Sequence, residues 1–252
     1  MKYFYQKESK EILDELNTTT SGLNSKEVEK RQEKHGLNVL PEAPRPSGFQ
    51  IFLNQFKDLI VLILIAAAVI SGVTGDAESS IVIVVVLIIN AILGTTQILN
   101  AQRSVDSLKQ LSVPKVKVIR DGVKQEIDSH HLTIGDIVEF EAGDMIVADA
   151  RIIEASSLQV QESALTGESH AVDKNTDVVE GEVVVGDQTN MVFTGSQVTY
   201  GKGQAVVTSI GVNTEIGKIS ELLNNASSGK SPLQKSIDQF SKNLSVGIII
   251  LC

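Results

Sequence analysis

The 252 residues carry 22 Lys and Arg against 31 Asp and Glu, a formal charge of -9, so the basic excess that polyanion binding needs is missing and no nucleic-acid partner is expected. A single cysteine excludes an internal disulfide framework. The 42% hydrophobic content is unevenly spread: of the 41 residues from Leu59 to Leu99, 28 are apolar and none is Lys or Arg, which excludes a purely soluble protein.

Residues 1–48 form a charged segment of helical pattern. Met1 opens a polar stretch, not a signal peptide. Asn24 with Glu27 spells a capping box, Val28 opens the apolar face, and Gly36 closes the helix after His35. Pro41, Pro44 and Pro46 then stop regular structure. In residues 49–76, Phe49, Phe52, Leu53, Phe56 and Ile60 recur at helical spacing, an interfacial lead-in expected to run directly into a first transmembrane span. That span, Leu59 to Gly75, has 17 residues and covers about 26 Å against a hydrocarbon core of roughly 30 Å, so the lead-in is expected to supply the missing length.

Asp76 and Glu78 mark the turn. Residues 79–113 hold a second span, Ile/Val-rich from Ser80 to Leu99, and a stalk whose apolar spacing continues at Ala101, Val105, Leu108 and Leu111 until Pro114. Asn90, deep in the apolar run, is expected to hydrogen-bond between helices, and Gly94 to permit their close packing. All nine basic residues before Leu59 and all thirteen after Leu99 lie on one side of this hairpin. The positive-inside rule therefore predicts a multi-pass protein with cytoplasmic termini and soluble mass. The absence of a cleavable leader, with short tails, fits a bacterial plasma membrane.

Residues 114–230 change to a period of two. Lys115–Arg120 and Val123–Ile127 flank an Asp121-Gly122 turn as a hairpin, and strands are predicted at 137–141, 151–154, 158–161, 191–194 and 204–210. Asn213 or Thr214 then caps a helix carrying Ile216, Ile219, Leu222 and Leu223, followed by a polar linker from Asn224 to Ser231. In residues 231–252, Leu233, Ile237, Phe240 and Leu244 climb into a third span of which Val246 to Cys252 gives only about seven residues, so the polypeptide is expected to continue. The fold class is mixed: a membrane α-helical hairpin plus a cytosolic all-β domain with accessory N-terminal helices.

Chemistry concentrates in Leu165-Thr166-Gly167-Glu168-Ser169. A carboxylate between small residues on a Gly-containing loop can orient or deprotonate a water, although the same composition also reads as an ordinary solvated turn. Gly195 to Gly203 fails the Walker spacing. His130 and His131 are adjacent, poor metal geometry, and read as surface residues. Asp136, Asp144 and Asp149 recur with Gly135 and Gly143 but lack the spacing of an EF-hand and read as turn acids, so no metal site is expected in this chain.

The string from Val160 to Ser169 resembles the actuator signature of P-type cation-transporting ATPases, and it does not stand alone. Gly22-Leu23, Glu27-Val28, Arg31 and Gly36 to Pro41 resemble that family's N-terminal segment, and Asn54 to Asp58 the approach to its first span. Asn90 to Gly94, Gly135 to Val138, Gly143-Asp144, Ala148-Asp149, Val192 to Gly195, Thr214 to Ile219 and Pro232 to Gln234 follow in the family's order. Similarity is greatest to the type II, calcium-pump-like branch, and the actuator of that family is a distorted jelly roll. The resemblance implies a larger ATP-driven pump using Mg-ATP, in which an Asp-Lys-Thr-Gly-Thr motif of a phosphorylation domain takes the γ-phosphate delivered by a nucleotide domain. Those domains would be partners on the same polypeptide, alongside membrane lipid, and this fragment alone would be inactive, with no cofactor site of its own. By the same resemblance Glu168 would polarise the attacking water, Thr166 and Gly167 would let the loop enter beside the phosphate, and Ser169 would support it. The transported ion is implied to be Ca2+. Gln50, Asn54 and Lys57 stand where reticulum-type calcium pumps carry acids, so Na+, K+ or H+ remains an alternative cargo, while Val147 stands where the family usually has a proline, a change expected to alter only a turn. A non-catalytic membrane-anchored β adaptor is the alternative from another class.

Overall fold

A computed structural model describes residues 3–40, 46–111 and 113–226 with a few positions between 236 and 243. Contacts divide the chain into two compact units, Met1–Glu42 with Val113–Ser227 and Ala43–Ser112 with Ser228–Cys252. Pro41, Pro44, the end of the predicted linker at Ser227 to Ser231 and the third span from Val246 to Cys252 lie outside the described residues.

The first unit opens with helices α1 (Ser9–Glu15) and α2 (Ser25–His35). Asn24 caps α2 by accepting the Glu27 amide hydrogen at 2.9 Å. The capping box expected there is only half formed, because the Glu27 carboxylate turns outward to accept from Arg31 Nε at 2.8 Å. Arg31 in turn donates to the carbonyls of Leu16 at 2.7 Å and Ile134 at 2.8 Å, fastening the helical segment to the β domain. Gly36, at φ +78°, ends the helix as the sequence predicts.

The second unit contains α3 (Gly48–Gln55), α4 (Leu59–Val73) and α5 (Ala77–Leu111). The lead-in does not run directly into the first span: α3 and α4 meet at 67°. Phe56 ends α3, and Asp58 starts α4 by accepting the Ile60 amide hydrogen at 2.9 Å, so two separately capped helices replace one. Helix α5 is continuous through span and stalk, and its 35 residues extend about 52 Å, well beyond a hydrocarbon core of roughly 30 Å. It is long and apolar enough to cross a membrane. Ser80 Oγ donates to the Ala68 carbonyl at 2.8 Å beside Gly72, joining α5 to α4. Gly94 meets the Gln55 side chain, in keeping with close packing. Asn90 does not make the expected interhelical bond: it is exposed, without a partner among the described residues, because the packed stripe of α5 runs through Leu87, Ala91 and Thr95.

Beyond Pro114 the first unit resumes with β1 (Lys115–Arg120), β2 (Val123–Asp128), β3 (Ile137–Glu141), β4 (Asp149–Gln161), the single-turn α6 (Ser163–Thr166), β5 (Ala171–Asp173), β6 (Met191–Val192), β7 (Gln197–Ser209) and α7 (Glu215–Ala226). The strands form one antiparallel sheet in the order β2-β1-β3-β7-β4-β5, with β6 on β4. Asp121 and Gly122 turn the first hairpin at φ +50° and +73°, the pairing a type I′ turn requires. The mixed architecture of apolar helices, β domain and N-terminal helices is the one the sequence implies.

Two of the predicted strands are one. β4 absorbs Ser157 and Leu158 in a bulge between the pairings of Ser156 and Gln159 instead of breaking, with Ser157 at φ +48° and Gly201 of β7 pressed so closely that a Cβ there would lie 2.2 Å from the Ser157 carbonyl oxygen. β7 likewise starts earlier than predicted and runs through Gly201 and Gly203, the glycines of the rejected phosphate loop. Helix α7 continues to Ala226, so the first residues of the expected linker are helical. The central strands are buried on both faces. Val118, Val138, Ile152, Ala205 and Val207 join the main core. Their neighbours Ile119, Ile137 and Val206 face Ile12 of α1 on the other side.

Candidate functional site

Pairing between β4 and β5 ends at Gln161 and Ala171, so residues 162–170 project as a loop. Glu162 begins α6: its carbonyl accepts from the amides of Leu165 at 2.9 Å and Thr166 at 3.0 Å and from Thr166 Oγ1 at 3.1 Å. Thr166 Oγ1 also accepts the Glu168 amide hydrogen at 3.2 Å. Gly167 between them is left-handed at φ +75° with open space around its Cα, so the backbone conformation, not crowding, calls for glycine there. Leu165 anchors the loop in a cluster with Tyr5, Met191 and Phe193. Glu168, Ser169 and His170 are exposed. The Ser169 carbonyl accepts from Gln161 Nε2 at 3.4 Å.

The four residues singled out from sequence, Thr166, Gly167, Glu168 and Ser169, therefore share one short segment with distinct geometries. Its base is fixed by packing and its tip presents a carboxylate that has no hydrogen-bond partner among the described residues. Such a tip can accept a proton from a water brought against it.

Sequence reasoning missed what lies beneath. Lys174 Nζ stands 2.6 Å from Glu162 Oε1, with side-chain exposures of 0% and 1%. Burial pushes the Glu162 carboxyl up and the Lys174 ammonium down, each opposed by the partner's charge. The period-two pattern held the signal: Leu158 and Val160 point inward, and Glu162 continues their face.

Two of the acids read as turn residues are instead buried anchors. Asp136 accepts from Arg120 through both oxygens and from the Thr133 amide. Asp149 accepts the amide and hydroxyl hydrogens of Thr194 and the Glu215 amide at the start of α7, and desolvation raises its carboxyl above the ordinary range. Both fill positions at sheet ends where several amides would otherwise be buried without acceptors. Asp144 does sit in a turn, accepting from the Glu141 amide. His130 and His131 lie in a short turn, His131 exposed. Among the described residues no group of three or more His, Cys, Asp or Glu could hold a metal ion.

Comparison with known proteins places these features in a context. The model of the P-type ATPase actuator domain matches residues 110–224, and that of the cation transporter/ATPase N-terminus matches residues 4–71. A calcium-transporting ATPase of Listeria monocytogenes is 45% identical over 248 residues, covering 98% of this chain and 28% of that protein. One of Lactococcus lactis is 43% identical with the same coverages. An endoplasmic reticulum-type calcium-transporting ATPase of Arabidopsis thaliana is 38% identical over 92% of this chain and 24% of its own length. The chain thus spans less than a third of the length of these relatives.

Proposed function

This chain belongs to the P-type cation-transporting ATPases, and we propose that it supplies the actuator domain and first spans of an ATP-driven calcium pump. In that pump, domains further along the polypeptide bind Mg-ATP and form an aspartyl phosphate, and this chain's loop promotes its hydrolysis. Water attacks phosphorus, Glu168 accepts the water proton, the aspartate carboxylate leaves, and inorganic phosphate is released. Thr166 fixes the Glu168 amide, Gly167 gives the left-handed step that aims the carboxylate outward, and Ser169 closes the loop back toward Gln161. By itself the chain is not expected to turn over ATP.

The observation that carries this reading is the exposed Glu168 on a loop whose base is held by Leu165 and Thr166. The calcium-transporting relatives support Ca2+ as cargo, and the bacterial ones support a plasma-membrane setting with the β domain cytoplasmic, the side that the distribution of Lys and Arg favours. The proposed divisions are an N-terminal part of the actuator at 1–48, spans within 49–76 and 79–113, the β domain at 114–230 and the path to a third span at 231–252. The test is ATP-driven ion uptake by vesicles containing the complete pump. Accumulation of Ca2+ supports the proposal; uptake of Na+, K+ or H+ without Ca2+ would assign another cargo, and no ATP-dependent transport would leave an adaptor.

A further inference from the structure

We propose that the buried Glu162–Lys174 pair is a positioning device for the Glu168 loop, a cross-brace between its inbound and outbound arms. The inference rests on the reading of that loop given above. Glu162 is the first residue past the last paired position of β4, and Lys174 the first past the end of β5. Lys174 follows the end of β5 that is farther from the loop, level with Leu158, so the 2.6 Å contact runs diagonally inside the domain and ties the first residue of the loop to the foot of the outbound arm.

Each partner also reaches a second element. The Lys174 amide donates to the Leu158 carbonyl at 2.8 Å, and its Nζ donates to the Gln188 carbonyl at 3.3 Å while lying 5.7 Å from the centroid of the Phe193 ring. Gln188 follows the short turn Val185–Asp187, in which Gly186 lies against the Thr166 methyl group. On the other side, the Glu162 carbonyl holds Thr166 Oγ1, which holds the Glu168 amide. A covalent and hydrogen-bonded path thus runs from the ammonium of Lys174 to the backbone of Glu168 in few steps, with no exposed link before the loop tip.

Stability does not account for the pair. Two charges taken out of water at one ion-pair distance commonly leave a protein no more stable than apolar residues of the same volume would. The Glu162 carboxylate has no further hydrogen-bond donor among the described residues to offset its burial. What the pair supplies is a fixed distance between the first residue of the loop and the foot of the outbound arm, and a general base misplaced by about 1 Å loses on the order of a hundredfold in rate.

The experiment uses the complete pump and compares formation with breakdown of the phosphoenzyme. Glu162→Gln combined with Lys174→Met removes both charges at similar volume. It is expected to form phosphoenzyme from ATP within about twofold of the parent rate and to break it down about tenfold more slowly. In a Glu168→Gln background the same double change should slow breakdown by less than about twofold, since a brace acting through that carboxylate has nothing left to aim. Glu162→Asp, which keeps both charges and shortens one arm by a methylene, guards against a double variant that does not fold, and should slow breakdown about threefold. Parent-rate breakdown in the variants that form phosphoenzyme, or the full slowing retained without Glu168, overturns the proposal. Glu168→Gln alone separates the two ideas: rapid breakdown there removes the loop from the mechanism, whereas slow breakdown there beside parent-rate pair variants removes only the brace.

Discussion

Arg120 and Asp136 form a two-point ion pair, Nε to Oδ1 at 2.8 Å and Nη2 to Oδ2 at 2.6 Å, with the carboxylate wholly buried. It joins the end of β1 to the start of β3, where the Thr133 amide also points at Oδ2. Removing one member of such a pair leaves a buried charge without its partner. Asp136→Ala should destabilise the β domain by about 3–5 kcal/mol, and Arg120→Met with Asp136→Leu by clearly less. Denaturant unfolding followed by circular dichroism measures both. Equal losses in the two variants would deny the pair its role.

Gly167→Ala isolates backbone conformation from packing. No atom lies within 4 Å of the added methyl, so any effect comes from holding a non-glycine residue at φ +75°, a cost of about 1 kcal/mol. The expected outcome is near-parent stability with a longer-lived phosphoenzyme in the complete pump. A shortened lifetime, or a collapse of the fold, would contradict this account of the loop.

Buried Asp149 sets a pH dependence of definite sign. Desolvation raises its carboxyl above the ordinary value of 3.8 despite three hydrogen bonds that favour the anion. The folded state consequently binds a proton at higher pH than the unfolded chain does. The contribution is fully present below 3.8 and is lost as pH rises through the folded value. Between those limits the parent should gain stability relative to Asp149→Asn as the solution is acidified. Urea midpoints of the two proteins at pH 7 and pH 5 provide the comparison, and a parent that loses stability relative to Asp149→Asn on acidification refutes the assignment.

The helical hairpin depends on a small residue at Gly72, where an added Cβ would meet Ser80 Oγ at 3.3 Å. Gly72→Ala should be accommodated by a shift of a few tenths of an ångström, whereas Gly72→Leu should separate α4 from α5 and abolish the Ser80 to Ala68 hydrogen bond. Cysteine crosslinking across the α4–α5 contact in membranes would report the change. Undiminished crosslinking in the leucine variant would argue against this contact.

The loop from Val160 to Ser169 was legible because its composition changes abruptly after an alternating strand, and the apolar hairpin because lipid demands long uncharged runs. Buried charge was not. Arg151 shows why: alternation puts it on the face opposite Ala150 and Ile152, which a one-sided antiparallel sheet would give to solvent. Instead the N-terminal segment covers that face. Arg151 is wholly buried, donates to the carbonyls of Lys7, Thr176 and Asn190, and is pushed down to about 10 by burial. Contacts between residues so distant in sequence leave no periodic trace, whereas for Glu162 the alternation with Leu158 and Val160 marks the buried face and leaves only the partner, Lys174, unmarked. The fused strand β4 escaped for another reason: the bulge between Ser156 and Gln159 looks like a break to any pattern of period two.

The most direct measurement is the lifetime of the phosphorylated intermediate in the complete pump carrying Glu168→Gln. Because only the proton-accepting group is altered, radiolabelled phosphate from ATP should still enter the protein at close to the parent rate and then persist at least about a hundredfold longer after a chase. Label that leaves the variant as fast as it leaves the parent would contradict the central claim.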